Sequence, residues 1–313
     1  MPFSSIYIAG HRGLVGGAMV RYFESRGQPN IIVRSRQGLD LGDSDAVREF
    51  FSSTRPEAVV MSAAKVGGIQ ANNNFPVEFL LENLRIQNNV IAASFEAGVK
   101  KLLFLGSSCI YPRLAPQPIR EDSLLSGPLE PTNKPYAIAK IAGIELCQAY
   151  SREYGVNFIS AMPTNLYGPG DNFDLDSSHV LPALIRKAHE AKINNQPAFP
   201  VWGSGLPRRE FLYVDDLADA LAFLLENYDS PEVINVGCGN DVTIRELAEI
   251  VSEVVGFKGE LIFDPSKPDG TPRKLLDTSR LEKLGWTPRV SLRDGIEQTY
   301  QWYLRSAPGL VHK

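Results

Sequence analysis

The sequence predicts a doubly wound α/β fold, a parallel sheet with helices on both faces, carrying a second and smaller α/β domain. Three observations lead there. Short β-branched runs alternate with amphipathic helical stretches through the first half, the pattern of right-handed strand–helix–strand crossovers. A glycine-rich turn, Gly10-His11-Arg12-Gly13-Leu14-Val15-Gly16, separates the first strand from the first helix. After Pro163 the rhythm breaks into stretches rich in Gly, Pro and Asp. At roughly 150 residues per domain, a chain of 313 residues also suggests two domains.

In order, strands are expected at 5–9, 30–34, 58–63, 101–106 and 157–162, with helices at 16–26, 44–54, 77–97 and 137–154 between them. Beyond the break come a helix at 180–192, an irregular stretch at 199–209, a helix at 214–225 and a strand at 233–236. A helix at 243–255, a short strand at 261–263 and a helix at 292–305 complete the chain. Segment 214–236 reads as one more helix–strand unit of the main sheet. The expected division is therefore discontinuous: 1–166 with about 211–237 in the dinucleotide domain, and about 167–210 with 238–313 in the substrate domain.

Composition narrows the classes of function. The net charge of −4 gives no reason to expect nucleic acid. Cys109, Cys147 and Cys238 lie far apart and form neither a disulfide framework nor a metal-binding spacing, which fits a reducing, cytoplasmic compartment. No apolar run approaches the ~18 residues of a membrane span, and Ile6-Tyr7-Ile8-Ala9 reads as a strand rather than a signal peptide. Neither a membrane nor a metal is expected.

Glycines are needed where backbone must approach a phosphate closely or take positive φ, and a helix N-terminus attracts anions. The 10–16 turn has that character, although its GxxGxxG spacing departs from the GxGxxG dinucleotide fingerprint. An NAD site would place an acid about 20 residues on. This chain instead reads Val33-Arg34-Ser35-Arg36 there, and a guanidinium suits a 2′-phosphate that a carboxylate would repel. NADP(H) is thus the expected cofactor, with Arg36 and Arg12 near the phosphate and Asp40-Leu41 beside the adenine.

The fourth strand ends in Leu105-Gly106-Ser107-Ser108-Cys109-Ile110-Tyr111-Pro112, and Tyr136-Ala137-Ile138-Ala139-Lys140 opens a helix. Residues i and i+4 share a helical face, so the ammonium can sit near the phenol. A phenol at pKa ~10 needs roughly 4 kcal/mol of help to act as a base near neutrality, which the lysine and a nicotinamide ribose can supply. Ser107 would hold the substrate oxygen.

Together these motifs make the chain resemble the extended short-chain dehydrogenase/reductases, a Rossmann-like family, over nearly its whole length. Within the family it is similar to the epimerase-reductases of GDP-4-keto-6-deoxy-D-mannose. That closer likeness rests on Gly106 to Pro112, Pro163-Thr164-Asn165-Leu166-Tyr167-Gly168-Pro169, His179, Trp202-Gly203-Ser204-Gly205, Arg208-Arg209-Glu210-Phe211 and Val214-Asp215-Asp216. The resemblance implies Ser107, Tyr136 and Lys140 as a reductase triad, and Cys109 and His179 as an acid/base pair for inversion at C3 and C5. With pKa values of ~8.5 and ~6.5, a thiol and an imidazole can exchange protons near neutrality. The order of roles is open, with Cys109 favoured as base.

It further implies cofactor contacts at 10–16, Arg36, Asp40, Leu41, Leu105 to Ser108, Lys140, Pro163 to Leu166 and His179, and substrate contacts at Lys187, Trp202, Arg209 and Asp269. A homodimer built on helices 77–97 and 137–154 is expected on the same ground. The rivals fit less well. A 4,6-dehydratase has an Asp-Glu pair where Cys109-Ile110 stands, a 4-epimerase commonly prefers NAD, and a cofactor-sensing protein usually lacks the Tyr or Lys.

Overall fold

The structure, a computed structural model, describes residues 3–28, 30–267 and 269–310. The dinucleotide half runs β1 (Ile6–Ala9), α1 (Leu14–Ser25), β2 (Ile31–Ile32), α2 (Ser44–Thr54), β3 (Ala58–Met61), α3 (Ile69–Asn74), α4 (Pro76–Glu96), β4 (Lys101–Leu105), α5 (Lys134–Tyr154) and β5 (Asn157–Pro163). There follow β6 (Asn165–Tyr167), α6 (Val180–Ile193), β7 (Ala198–Trp202), β8 (Arg208–Tyr213), α7 (Val214–Asn227), β9 (Ile234–Val236) and β10 (Asp241–Thr243). The chain closes with α8 (Ile244–Val255), β11 (Glu260–Asp264), β12 (Arg273–Lys274), α9 (Ser279–Lys283) and α10 (Leu292–Leu310).

Six parallel strands form the main sheet in the order β2-β1-β3-β4-β5-β9. Both faces are covered, so the strands are continuous apolar runs rather than alternating ones. Ile6 and Ile8 of β1 pack with Met19 and Phe23 of α1 and Leu221 of α7. Tyr7 and Ala9 face the other way, onto Phe51 of α2, Val90 of α4 and Ile144 of α5. The order reverses between β1 and β3, and in open α/β sheets ligands settle beyond the strand ends at such a reversal.

A second layer lies beyond those strand ends. β8 pairs with β6, β10 and β12, while β7 pairs with β11. Its core gathers Leu184 and Ile185 of α6, Leu247 and Val251 of α8, Ile296 of α10, and Phe199 and Phe211 from the strands.

Two expectations need correction. The stretch 199–209 is not irregular: it holds most of β7 and the start of β8. Pro200 masks the strand in sequence, but β7 pairs only with β11, so one edge is open and a missing N–H costs no ladder bond. The strand expected at 30–34 shrinks to Ile31–Ile32, because β2 is the outermost strand and pairs on one side only. Among the described residues no helix is long and apolar enough to cross a membrane, and no three His, Cys, Asp or Glu side chains converge as a metal site.

Candidate active site

The glycine turn is built by close backbone packing. Gly10 takes φ +87°, and a Cβ there would lie 2.8 Å from the Ala63 backbone at the end of the neighbouring strand. A Cβ on Gly16 would sit 2.2 Å from the Gly10 carbonyl oxygen. Gly13 N donates to Gly10 O at 2.9 Å and caps α1 without any side-chain hydrogen bond, so the first helical N–H groups remain available to an anion. These features fit the diphosphate of a dinucleotide.

His11 hydrogen-bonds the Arg34 backbone; burial and then the Arg12 charge lower its pKa. Arg34 lies over the Phe50 ring at 5.3 Å, whereas Arg12 and Arg36 are exposed and, among the described residues, form no ion pair. The exposed Asp40 accepts from Gly42 N at 2.9 Å, and the Leu41 carbonyl accepts from Asn89 at 2.9 Å. Further along the sheet edge, Thr164 and Asn165 both donate side-chain hydrogen bonds to the Glu210 carbonyl, at 3.3 and 2.8 Å. Their polar groups tie the β5–β6 junction to β8. Pro163 is the last residue of β5, and Leu166 packs on the first core.

β4 delivers the next group. Ser107 Oγ accepts from Cys109 N at 3.2 Å and caps the short helical turn at Ser108–Ile110. Tyr111 anchors that turn from below by donating to the buried Asn235 side chain at 2.6 Å. Near the start of α5, Lys140 is buried and donates to the Leu105 carbonyl at 2.8 Å. Its ammonium lies 4.9 Å from the Phe104 ring centre and 5.9 Å from that of Tyr136. Burial pushes Lys140 down to about 8, which leaves it mostly charged at neutral pH.

Tyr136 departs from the sequence-based expectation of a lowered phenol. Burial pushes it up, Cys109 adds to the rise, and a hydrogen bond with Ser107 opposes both. The protein by itself therefore keeps the phenol protonated.

Across the cleft, His179 occupies the cap position of α6 but makes no capping hydrogen bond. Its side chain is exposed to solvent on one side and crowded by protein on the other. The imidazolium is poorly hydrated there, and with the nearby Lys274 charge this lowers its pKa. The preceding segment is fixed by Gly68 N donating to Ser177 O at 3.2 Å.

Lys187, on the same helix, donates to Pro200 O at 3.2 Å and stands 5.0 Å from the Trp202 ring centre, with Lys267 on that ring at 5.4 Å. Arg209 is half-buried, with its pKa lowered by burial, and reaches the Asp269 carbonyl at 3.3 Å. The Asp269 carboxylate is committed to Ser204, at 2.7 Å from its N–H and 2.8 Å from its hydroxyl, so it braces the 203–205 loop.

Sequence reasoning missed Lys274, whose Nζ donates to Cys109 Sγ at 3.5 Å. Its only signal was a basic pair, Arg273-Lys274, after a Pro/Gly-rich turn. β12 places it by pairing Lys274 with Arg209 of β8. Two residues on, Leu276 N binds the fully buried Glu210 carboxylate at 3.0 Å, which also accepts from Cys238 N and Gly239 N. Ser107, Tyr136, Cys109, Lys274, His179 and Arg209 thus converge at the carboxyl edge of the main sheet, with Lys187 and Trp202 on the opposite layer.

A glycine turn shaped for a dinucleotide, sharing one sheet edge with a phenol and an ammonium, defines a nicotinamide-dependent enzyme. The chain belongs to the NAD dependent epimerase/dehydratase family, whose model matches residues 6–237. It is 60% identical over 303 residues to GDP-L-fucose synthase 1 of Arabidopsis thaliana, covering 97% of this chain and 94% of that one. It is 55% identical to the GDP-L-fucose synthase of Escherichia coli, covering 98% of each. Among solved structures it is similar to a GDP-L-fucose synthetase from Naegleria fowleri bound to NADP, with a TM-score of 0.90, 32% identity, and 97% and 95% of the two chains covered.

Proposed function

We propose that this protein converts GDP-4-keto-6-deoxy-D-mannose to GDP-L-fucose by inverting C3 and C5 and then reducing C4 with NADPH. The observation that carries the reading is the pairing of two proton-handling centres in one cleft. Tyr136 interacts with Ser107 and Cys109, the Lys274 ammonium donates to the Cys109 sulfur, and the Lys274 charge also reaches His179. A simple reductase needs only the first centre. Relatives named GDP-L-fucose synthase, at 55% and 60% identity, support the same substrate.

The keto group makes the C3 and C5 hydrogens acidic. Cys109 takes such a proton: the S–H bond forms as the C–H bond breaks, and the electron pair enters the enolate on O4. His179 returns a proton to carbon from the other face. Its lowered pKa makes the His179 imidazolium a stronger acid though a minor form at neutral pH, and its solvent-reachable edge lets water reload it.

Gly10 to Gly16, Arg12, Arg36 and the 105–108 turn would hold NADPH, which would supply the hydride for C4. Tyr136 gives its proton to the oxygen as the alkoxide develops, and its burial keeps that proton loaded until then. Ser107 hydrogen-bonds that oxygen, and the Lys140 ammonium stabilises the phenolate left behind. Lys187, Arg209 and Trp202 supply the cations and ring that a nucleoside diphosphate requires.

The same reading makes the protein a cytoplasmic homodimer. Three free cysteines suit a reducing compartment. Exposed Val77 and Leu81 on α4 and Ile138 on α5 suit an interface formed by those helices, which light scattering after gel filtration tests. The decisive assay mixes the protein with GDP-4-keto-6-deoxymannose and NADPH and follows the absorbance of the reduced nicotinamide. Substrate-dependent oxidation with GDP-L-fucose as product is expected, and its absence refutes the reading.

A further inference from the structure

We propose that Lys274 is a positioning residue for proton exchange, a counter-ion that holds the Cys109 sulfur as a thiolate ready to take a proton from carbon. The inference rests on the assignment of Cys109 as base. The charged and titratable groups around this sulfur are Tyr136 from α5, Arg209 from β8, Lys274 and Arg273 from β12, and Arg113 and Glu130 from the loop before α5, while His179 ahead of α6 lies within reach of the Lys274 charge. Most of these cations are already engaged. Arg113 pairs with Glu130 at 3.1 Å, Arg273 with Asp241, and Arg209 donates to the Arg208 and Asp269 carbonyls. Lys274 has no carboxylate partner among the described residues, and its ammonium donates to the thiol sulfur.

An ammonium within 4 Å of a sulfur favours the anion, and the thiolate is the form that can accept a proton. Burial and then the same charge lower the pKa of His179, which makes its imidazolium a stronger acid. One lysine thereby acts on both members of the pair. After C–H cleavage the sulfur is neutral, and the negative charge has moved onto the enolate oxygen. No oxidant or further reactant is involved.

Alkylation of the NADP-bound protein by iodoacetamide tests this without any sugar nucleotide, with Cys109 modification followed by peptide mass spectrometry across neutral and alkaline pH. In Lys274→Met the half-maximal point should move up by about one pH unit, slowing alkylation at neutral pH roughly tenfold. Lys274→Arg, which keeps the charge, should restore most of the wild-type profile. Superimposable Met and wild-type profiles overturn the proposal, as does an Arg profile displaced as far as that of Met. An unchanged Met profile with a raised KM for the sugar nucleotide also overturns it, since Lys274 would then serve the diphosphate. Failure of the wild type to turn over GDP-4-keto-6-deoxymannose would instead count against the proposed function and leave this readout intact.

Discussion

The two proposed proton-handling centres are built in opposite ways. Tyr136 and Lys140 lie one turn apart on α5, and the lysine is locked to the Leu105 carbonyl at the end of β4. Helix pitch alone sets their spacing, and the buried sheet fixes their height. Cys109, Lys274 and His179 come instead from the end of β4, from β12 and from the segment before α6. Only the contact of the second layer with the sheet edge brings them together, with the Glu210 carboxylate and the Asn235 amide as the pins that align it. A reduction centre made from one helix and the end of the strand it packs on, with Ser107 on that strand end, is rigid by construction. A proton-exchange centre made from three segments can be adjusted, or lost, without disturbing the first.

The largest expected effects break the pair apart. Tyr136→Phe removes the proposed proton donor for C4 and should lower NADPH oxidation by about 10²–10⁴-fold, the range for a single general acid. It should leave deuterium incorporation at C3 and C5 from D₂O within a few-fold of wild type. Cys109→Ala should do the reverse, cutting incorporation by a similar factor while NADPH affinity stays unchanged. Equal loss of both activities in either variant would mean that the centres are not separable.

That asymmetry also governs what could be read from sequence. The Tyr–Lys pair and the glycine turn are local patterns, visible because i, i+4 spacing and backbone constraints are written within a few residues. Lys274 lies 165 residues from Cys109, and nothing local marks it apart from any other basic pair near a turn. β7 was hidden for a different reason: Pro200 is a strand breaker in most settings, and only the two-stranded pairing with β11 makes it harmless. Asp269 could be placed near the substrate by resemblance, but both its oxygens are spent on Ser204, a commitment set by tertiary contact. The raised phenol of Tyr136 likewise follows from burial, which its neighbours in sequence do not reveal.

A smaller effect probes the cofactor end of the rigid region. Arg36 is exposed and, among the described residues, has no ion-pair partner, so it is free to meet a 2′-phosphate. A charge-assisted hydrogen bond is worth about 1.5–3 kcal/mol, so Arg36→Asp should weaken NADPH by roughly 10–100-fold. NADH, which lacks that phosphate, should change by only a few-fold. Isothermal titration with both cofactors measures the ratio, and equal losses would remove Arg36 from the 2′-phosphate site.

The smallest effect separates the centres by pH rather than by mutation. Lys140 titrates at about 8 because burial penalises its charged form, and its hydrogen bond to Leu105 is to a neutral carbonyl. A lysine lowered in this way is charged below that pH and neutral above it. If the ammonium is what stabilises the Tyr136 phenolate, reduction holds level to about pH 8 and then falls, roughly tenfold for each further unit. Proton exchange draws nothing from Lys140, so incorporation of deuterium at C3 and C5 should not share that limb. Single-turnover NADPH oxidation, measured beside incorporation across alkaline pH, reads both at once. A common decline in the two rates would place Lys140 in service of the whole cleft, and the division between a rigid and an assembled centre would then fail at its most buried residue.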